Sequence, residues 1–264
     1  VAVAFPDGRP ALTLFDYHAH TTRCGHATGT MEEYVERALA LGMDEFGFSE
    51  HSPWMIQDPG QWNCLKWDEL DDYIADVQRL QGVYNRDGER PFRLRLGMEA
   101  DFVPSRLHTA REVFARYPFD YIIGSVHHLA FWCLPKRSEK QEYDRHHIED
   151  VYELYFEQMR QMIDARFCDI IGHIDLPKKH GHRPTGGILR YIEPLIPLIK
   201  ANELAVEINT SGKDNVADEF HPGWDVVEAL HAAGVPLVLD SDSHKPEHVG
   251  RYFPEAIERL REIG

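Results

Sequence analysis

The chain has 264 residues, enough for one large core or two small ones, and βα-barrel domains often fill this length as a single unit. Its 28 basic and 44 acidic residues give a formal net charge of −16, which argues against non-specific binding to nucleic acid or to an anionic membrane. The scattered cysteines lack the paired spacing of a zinc ribbon and the density of a disulfide framework, and a reducing cytoplasm suits them: Cys24, Cys64, Cys133 and Cys168.

The opening segment, residues 1–15, does not have the pattern of a secretion signal. It carries Asp7, Arg9 and prolines where a signal peptide needs an unbroken apolar stretch. No later segment approaches the length of a membrane span. We therefore expect a soluble, cytoplasmic protein.

Short apolar runs alternate with helical patterns along the chain, which is typical of parallel βα units. Strands are predicted over residues 14–18, 45–51, 92–102, 121–128, 168–175, 203–209 and 235–244. About seven such units follow one another without a linker or low-complexity tract. They predict an α/β fold in a single domain spanning 1–264, preferably a closed or nearly closed barrel. A doubly wound open sheet is the alternative, because the sequence does not show whether the first and last strands meet.

Helical patterns separate the predicted strands. The first helix begins at a capping box formed by Thr30 and Glu33 and ends at Gly42. Between 187 and 201 the pattern is helical, but Pro194 and Pro197 should break or restart it. The other helices are predicted near 66–84, over 105–116, around 151–163, over 224–233 and near 254–263.

Two histidines separated by one residue, His18 and His20, end the first predicted strand. Alternate side chains of a strand face the same way, so both can converge on one point beyond the strand. An isolated pair of this kind more often reflects partly exposed histidines on an edge strand, since short motifs recur by chance. Metal-capable residues elsewhere in the chain must decide between these interpretations.

The other predicted strands end in the same kind of residue, with the single exception of the strand at 203–209: His51, Glu99, His127, His173, Asp242 and His244. In a βα barrel the C-terminal ends of the strands share one rim, where active sites are built. His26 lies in a glycine-flanked loop that can fold over the same rim. Chance placement would scatter histidines along strands and helices alike, so this pattern predicts a site for several metal ions.

The two-residue period of a strand separates some of the neighbouring candidates. His127 and His128 should point to opposite faces, so only one of them can be a ligand, and we favour His127. The remaining histidines are interpreted as ordinary surface or loop residues: His108, His146, His147, His180, His182, His221, His231 and His248.

Two carboxylate choices stay open on periodicity alone. Glu99 and Asp101 share a face of one predicted strand, and Asp240 and Asp242 share a face of another. Within each pair, only the position along the strand can indicate which carboxylate is the ligand. Position is weaker evidence for this than the face of the sheet.

In these motifs the sequence resembles the polymerase-and-histidinol-phosphatase (PHP) superfamily of metal-dependent hydrolases. The matching segments run through nearly the whole chain in the family's order: HAH (18–20), His26, EH (50–51), GMEADF (97–102), GSVHH (124–128), GHID (172–175) and DSDSH (240–244). Within the superfamily it is most similar to the histidinol-phosphate phosphatases, through DYHAHTTRCGHATG (16–29), FSEHSP (48–53), IIGHIDLPKKHG (170–181), EINTSG (207–212) and SDSHKPEHVG (241–250).

The resemblance implies a distorted (β/α)7 TIM-like barrel with up to three divalent metal ions. By analogy, the first metal and the catalytic set would involve His18, His20, Glu99 and Asp242, the second metal Glu99, His127 and His173, and the third His26, His51 and His244. Glu99 would then bridge two metals. The same analogy favours Glu99 over Asp101 and Asp242 over Asp240.

The implied activity is hydrolysis of L-histidinol phosphate to L-histidinol and inorganic phosphate in histidine biosynthesis. Mixed imidazole and carboxylate ligation suits zinc, manganese or iron(II), and the lack of cysteine among the implied ligands argues against a purely structural zinc site. A centre with excess positive charge would favour a phosphomonoester, and a metal-bridging hydroxide would attack phosphorus without a phosphoenzyme. Lys179 and Arg183, in the basic loop after the fifth strand, are expected to bind the substrate's phosphate.

Other activities are weighed against this expectation. The same centre acting on nucleotides or DNA ends is disfavoured by the acidic balance of the chain. An amidohydrolase or lactonase usually bridges its metals with a modified lysine on the fourth strand, and residues 121–128 contain none. A non-catalytic relative should have lost ligands, whereas every implied position is filled. The expected partner is a small phosphomonoester, without nucleic acid or membrane, and the oligomeric state stays open.

Overall fold

The structure is a computed structural model, and it describes residues 13–55, 63–88, 91–129 and 132–264. Residues 1–12, on which the prediction of location partly rests, lie outside the described residues. Among the described residues, no helix combines the length and the apolar character needed to cross a membrane.

Parallel strands joined by helices build the main sheet, as the alternating pattern predicts. The described strands are β1 (Phe15–Asp16), β2 (Glu45–His51), β3 (Arg93–Asp101), β4 (Tyr121–Ser125), β5 (His128–Leu129), β6 (Trp132–Cys133), β7 (Ile170–Ile171), β8 (Ala205–Asn209) and β9 (Leu237–Asp240). The seven-stranded sheet has the order β1-β2-β3-β4-β7-β8-β9, and each neighbouring pair is parallel. A separate antiparallel pair consists of β5 and β6.

The two ends of this sheet meet, which decides between the barrel and the open sheet. The backbone N–H of Tyr17, next to β1, donates to Oδ1 of Asp240 in β9 at 2.6 Å. Further on, Ser243 N donates to His18 O at 2.9 Å and Ser243 O accepts from His20 N at 2.8 Å. The strands therefore form a nearly closed barrel, and the open sheet is excluded.

Several strands are shorter at their C-terminal ends than the sequence predicts. Those predicted over 14–18, 121–128, 168–175 and 235–244 end at Asp16, Ser125, Ile171 and Asp240. Beyond two of these ends, carboxylates rather than a neighbouring strand bind the backbone: His127 N donates to Asp101 Oδ1 at 3.0 Å, and His173 N to Glu207 Oε2 at 2.6 Å. Many of the candidate ligands consequently lie in loops just past the strands.

The predicted helices are confirmed with small shifts of their bounds. They are α1 (Met31–Ala40), α2 (Leu70–Tyr84), α3 (Leu107–Arg116), α4 (Ile148–Asp164), α5 (Leu189–Ile192), α6 (Ile196–Ala201), α7 (Trp224–Ala232) and α8 (Phe253–Ile263). The capping box of Thr30 and Glu33 is present at the start of α1. A 3-10 turn, Glu193–Leu195, separates α5 from α6, so the proline-containing segment is interrupted as predicted.

A buried tyrosine fills the lower part of the barrel. The hydroxyl of Tyr121 donates to the backbone oxygen of Tyr17 at 2.6 Å, and the oxygen of Phe48 lies 3.2 Å away. A Cβ atom at Gly47 would lie 2.2 Å from Oη of Tyr121, and one at Gly97 would lie 2.2 Å from its Cζ. Glycines on β2 and β3 therefore make room for the ring, which closes the barrel below the polar rim.

Candidate metal centre

His18 and His20 lie just beyond β1, and their Nε2 atoms face the same two carboxylates. His18 Nε2 is 3.4 Å from Glu99 Oε2 and 3.9 Å from Asp242 Oδ1. His20 Nε2 is 3.7 Å from Glu99 Oε2 and 3.3 Å from Asp242 Oδ1. The fold thus brings together four residues from β3 and from the loops after β1 and β9 in a geometry that a single metal ion could share.

The other oxygen of Glu99 faces a second group of imidazoles. Glu99 Oε1 is 3.3 Å from His127 Nε2 and 3.0 Å from His173 Nε2, and these two nitrogens are 3.2 Å apart. Ser125 Oγ donates to the same oxygen at 2.8 Å. Glu99 consequently lies between the two groups, which is the position that a bridging carboxylate requires.

The remaining three candidates stack along the solvent side of the centre. The ring centroid of His20 lies 4.1 Å from those of both His51 and His244, and the centroid of His26 lies 4.6 Å from that of His244. Ligand atoms of His20, His51 and His244 all lie within 4.8 Å of one another. His51 Nδ1 is also 2.6 Å from Glu99 Oε2. The third group is therefore continuous with the first.

Cys24 is a further candidate donor, which was not predicted from the sequence. Its thiol, His26 and His244 have ligand atoms within 4.8 Å of one another. Its Sγ, however, donates to the backbone oxygen of Thr21 at 3.1 Å, and burial raises the pKa of the thiol. Because a thiol must lose its proton to bind a metal well, the structure favours the imidazoles and carboxylates as ligands.

The candidate ligands leave buried nitrogen atoms without hydrogen-bond partners. Among the described residues, no hydrogen bond reaches Nε2 of His18, of His20 or of His244. A buried polar atom without a partner costs about 1 to 3 kcal/mol, so a concentration of them in one place needs compensation. Divalent cations coordinated by these lone pairs would supply it, and the donor set therefore fits metal ions.

The ionisation states of two of these groups, Glu99 and His51, suit metal binding. Although burial acts to raise it, the imidazoles of His127, His51 and His18 hold the pKa of the Glu99 carboxyl well below its ordinary value. Burial together with the positive charge on a neighbouring imidazole lowers the pKa of His51 to about 4. Near neutral pH the carboxylate is therefore ionised and the His51 imidazole is neutral, as ligands must be.

A layer of carboxylates behind the ligands orients two of the imidazoles. Glu207, from β8, has its Oε1 2.5 Å from His18 Nδ1. Glu50, from β2, has its Oε1 3.5 Å from His20 Nδ1. Contacts at Nδ1 leave Nε2 of each ring directed to the centre, which is the usual arrangement around metal-bound histidines. These roles were not predicted from the sequence, where the available signal is a charged residue inside a buried strand.

Asp101 belongs to this outer layer rather than to the centre. Its Oδ1 is 3.2 Å from His127 Nδ1 and its Oδ2 is 3.2 Å from His128 Nδ1. Of Glu99 and Asp101, it is Glu99 that faces the Nε2 atoms of His127 and His173. The premise of the argument that His127 and His128 point to opposite faces does not hold, because β4 ends before both residues, and both rings contact the Asp101 carboxylate. His127 is the member of that pair that reaches Glu99.

Asp240 and Asp242 are also separated by their surroundings. Asp240 accepts from the backbone at the barrel seam, and burial together with the charges of Glu207 and Asp16 raises the pKa of its carboxyl. Asp242 follows the end of β9 with a φ of +49°, which turns its side chain towards His20. Of the two carboxylates that periodicity left open, Asp242 is the one that lies beside the imidazoles of His18 and His20.

The centre opens into a cavity of about 290 Å³. Lys179 and Lys136 line this cavity together with the candidate ligands. Arg183 lies elsewhere: its Nη2 is 3.1 Å from Glu219 Oε2, and its side chain is 40% exposed. Of the two residues predicted to bind phosphate, Lys179 is therefore the one that lines the cavity.

His221 also lines the cavity, although the sequence analysis interpreted it as an ordinary surface or loop residue. That interpretation is wrong, because His221 is 1% exposed and its Nδ1 lies 2.6 Å from Asp175 Oδ1. His221 lies between β8 and α7, in a segment whose sequence has no helical or strand periodicity. Its burial could therefore not be predicted from the sequence.

Comparisons with known proteins agree with this architecture. The family model described as PHP domain matches residues 16–211. A protein named "Probable histidinol-phosphatase" from Deinococcus radiodurans is 34% identical over 95% of this chain and 94% of its own length. The protein named "Histidinol-phosphatase" from Bacillus subtilis is 27% identical over 92% of this chain and 98% of its own.

A solved structure supports the fold independently of these sequence matches. The histidinol phosphate phosphatase of Lactococcus lactis, complexed with zinc, L-histidinol and phosphate, superposes with a TM-score of 0.77 at 21% identity. The superposition covers 96% of this chain and 94% of that one. At this identity the likeness bears on the fold, and the chemistry must be argued from the residues of the site.

Proposed function

Because this chain belongs to the PHP domain family, we propose that it is a metal-dependent phosphomonoesterase that hydrolyses L-histidinol phosphate to L-histidinol and inorganic phosphate. The relative from Deinococcus radiodurans carries the name of that activity and matches nearly the whole chain. The observation that carries the proposal is the convergence of imidazoles on both oxygens of Glu99. A role in histidine biosynthesis and a cytoplasmic location are part of the proposal.

The proposed centre holds three divalent ions. The first would be bound by His18, His20, Glu99 and Asp242, the second by Glu99, His127 and His173, and the third by His26, His51 and His244. The close approach of Glu99 oxygens to His18 and His173 supports the first two groups, and the stacked rings support the third. Zinc, manganese and iron(II) all suit these ligands, and the zinc of the Lactococcus lactis structure puts zinc first.

Divalent ions at such a centre supply two things, a lowered pKa for water and positive charge against the phosphate. The protein's own residues do the rest. Glu207 holds His18 at Nδ1 so that Nε2 stays directed inward, and Glu50 lies 3.5 Å from Nδ1 of His20. Lys179 lines the cavity, and we assign it to the phosphate oxygens. Arg183 would have to break its ion pair with Glu219 before it could also bind the phosphate oxygens.

Comparing substrates tests the proposed activity. Phosphate release from L-histidinol phosphate should exceed release from AMP, which lacks the ammonium group that an acidic protein favours, and from phosphorylated DNA ends, because the net charge of −16 opposes binding of a polyanion. We expect kcat/KM to differ by about 100-fold or more, the discrimination that specific polar contacts provide. Equal or better hydrolysis of AMP would replace the proposed substrate.

Substitution of the centre tests the assigned residues. Glu99→Gln and His18→Ala should lower kcat by about 1,000-fold or more, because each removes a donor from the proposed centre. His108→Ala is the matched control, since that ring is 88% exposed and pairs with Glu112 on the surface of α3. Full activity in Glu99→Gln, with the control also active, would contradict the proposed centre.

A further inference from the structure

The His221 ring is held rigidly at the wall of the cavity. Its backbone pairs with that of Asn209 at the end of β8: Asn209 N donates to His221 O at 2.6 Å, and His221 N donates to Asn209 O at 2.9 Å. A Cβ atom at Gly212 would lie 2.8 Å from Cδ2 of the ring, so a glycine there allows close packing. The ring therefore has little freedom to turn.

Hydrogen bonds fix which nitrogen of this ring carries the proton. Asp175 Oδ1 lies 2.6 Å from His221 Nδ1, and Asp175 Oδ2 accepts from Gly223 N at 3.0 Å. Lys178 Nζ lies 2.7 Å from the same Oδ2. A carboxylate surrounded by donors acts as an acceptor, so Nδ1 of His221 carries the hydrogen and Nε2 presents a lone pair.

The charge around the pair favours a neutral imidazole. The Lys178 ammonium, itself fully buried, compensates the charge of Asp175. Lys178 also contacts Glu219, whose charge is in turn compensated by Arg183, so two cations balance two carboxylates and little negative charge is left to stabilise a positive charge on His221. The ring also lies beside the proposed cationic centre, with its centroid 6.5 Å from that of His173. His221 is therefore suited to accept a hydrogen bond rather than to supply a proton.

No described residue uses this acceptor. Nε2 of His221 is buried and has no hydrogen-bond partner among the described residues, although the side chain lines the cavity. Leaving such an atom unsatisfied costs about 1 to 3 kcal/mol, which a bound ligand can recover. A phosphate held at the centre would place the alcohol portion of the substrate within reach of this wall.

We propose that Nε2 of His221 accepts a hydrogen bond from an N–H group on the alcohol portion of the phosphomonoester and so selects nitrogen-bearing substrates. The proposal rests on the proposed function, since L-histidinol phosphate carries both ammonium and imidazole N–H groups. A site built to hydrogen-bond a substrate group discriminates against analogues that lack it, because its own buried atom then stays unsatisfied.

Three substrates separate this role from general catalysis. L-histidinol phosphate and ethanolamine phosphate carry N–H donors, whereas propyl phosphate has the same kind of poor leaving group without one. For His221→Phe, the kcat/KM ratio of either nitrogen-bearing substrate to propyl phosphate should fall by about 10-fold or more, mainly through KM. An unchanged ratio, with all three substrates losing equally, would overturn the proposal and indicate a structural or general-acid role.

Two further variants keep the test decisive if His221→Phe does not fold. His221→Gln retains an oxygen that can accept, so it should preserve part of the preference. Asp175→Asn can donate to Nδ1 and turn Nε2 into a donor, so the preference should fall although the ring remains. Retention of the full preference in Asp175→Asn would overturn the proposal. His182→Phe is the control, because that ring pairs with Asp144 instead of lining the cavity.

Assays of the wild-type protein distinguish failure of the proposed function from failure of the role assigned to His221. If it hydrolyses AMP better than L-histidinol phosphate, the proposed function fails. If it prefers L-histidinol phosphate and His221→Phe keeps that preference, only the assignment of His221 fails. Metal content and thermal unfolding, measured on every variant, show whether a loss follows from a damaged centre or fold.

Discussion

Oε1 of Glu207 lies 2.5 Å from Nδ1 of His18, although the two residues are 189 positions apart in the chain. The other oxygen of Glu207 accepts from the backbone of His173 at 2.6 Å and from the side chain of Asn209 at 3.1 Å. One buried carboxylate in β8 thus orients a candidate ligand after β1 and anchors the loop that carries another after β7.

Glu207→Gln should weaken metal binding because an amide has only one oxygen that can accept, so it cannot accept both from His18 Nδ1 and from His173 and Asn209 as the carboxylate does. We expect affinity for Zn²⁺ to fall by about 10- to 100-fold, the usual effect of removing such an outer contact. Competition with a chromophoric chelator measures this without reference to activity. Glu228→Gln, which alters an exposed pair with Arg259, is the control. Equal affinity in the two variants would contradict the role assigned to Glu207.

His128 should make the stability of the metal-free protein depend on alkaline pH. Burial acts to lower its pKa, but the Asp101 carboxylate raises the pKa to about 9 from the ordinary 6.5. The folded state therefore binds a proton more tightly than the unfolded state, so this stabilisation is complete below pH 6.5 and is lost as the pH rises through about 9.

Denaturant titration in the presence of a chelator, across that pH range, measures this loss. His128→Gln should remove on the order of 2 kcal/mol of the change in unfolding free energy between neutral and alkaline pH. Other buried imidazoles contribute to the total, so the comparison is between the slopes of wild type and variant. Identical slopes would show that His128 does not titrate in this way.

The adjacent lysines 178 and 179 should respond differently to substitution. Lys179 lines the cavity, so Lys179→Ala should raise KM for the phosphomonoester about 10-fold while metal content and stability stay near those of the wild type. Lys178 is buried against Asp175, so Lys178→Met should lower the unfolding free energy by about 3 to 5 kcal/mol. Steady-state kinetics and denaturant unfolding of both variants test the contrast, which would fail if Lys179→Ala were the unstable one.

Two glycines of different surroundings test the packing of the barrel. Gly97→Ala would place Cβ 2.2 Å from the Tyr121 ring and should destabilise the protein by about 1 to 3 kcal/mol. Gly82, in α2, has nothing within 4 Å of an added Cβ, so Gly82→Ala should stabilise it by about 0.5 to 1 kcal/mol. Thermal unfolding of the pair gives the sign of each change. A neutral Gly97→Ala would contradict the tight fit of Tyr121.

The barrel and its rim of histidines could be predicted from the sequence because both leave a local pattern. Strands alternate with helices, and residues such as His51 and His173 lie at the C-terminal ends of apolar runs, which form the rim of the barrel. Outer-layer contacts leave no such pattern, since the partner of Glu207 lies far away in the chain and a carboxylate within a strand has no characteristic spacing. His221 was misjudged for the same reason: its burial depends on Asp175 and Gly212, not on its neighbours in sequence.

Strand ends were the least predictable feature. The apolar character of residues such as Val126 continues past Ser125, but the backbone beyond it turns to reach the Asp101 side chain. The parity rule therefore could not be applied to His127 and His128, because β4 ends before both residues and His128 begins the separate strand β5. Competition between side-chain carboxylates and neighbouring strands for backbone amides is a tertiary effect that hydrophobic periodicity does not record.

Reconstitution of the metal-stripped protein is the most direct test of the account. Phosphate release from L-histidinol phosphate should be abolished by a strong chelator and return as Zn²⁺ or Mn²⁺ is added, with full activity only above one equivalent of metal per chain. Undiminished release from protein shown by elemental analysis to be free of metal would contradict the proposed centre.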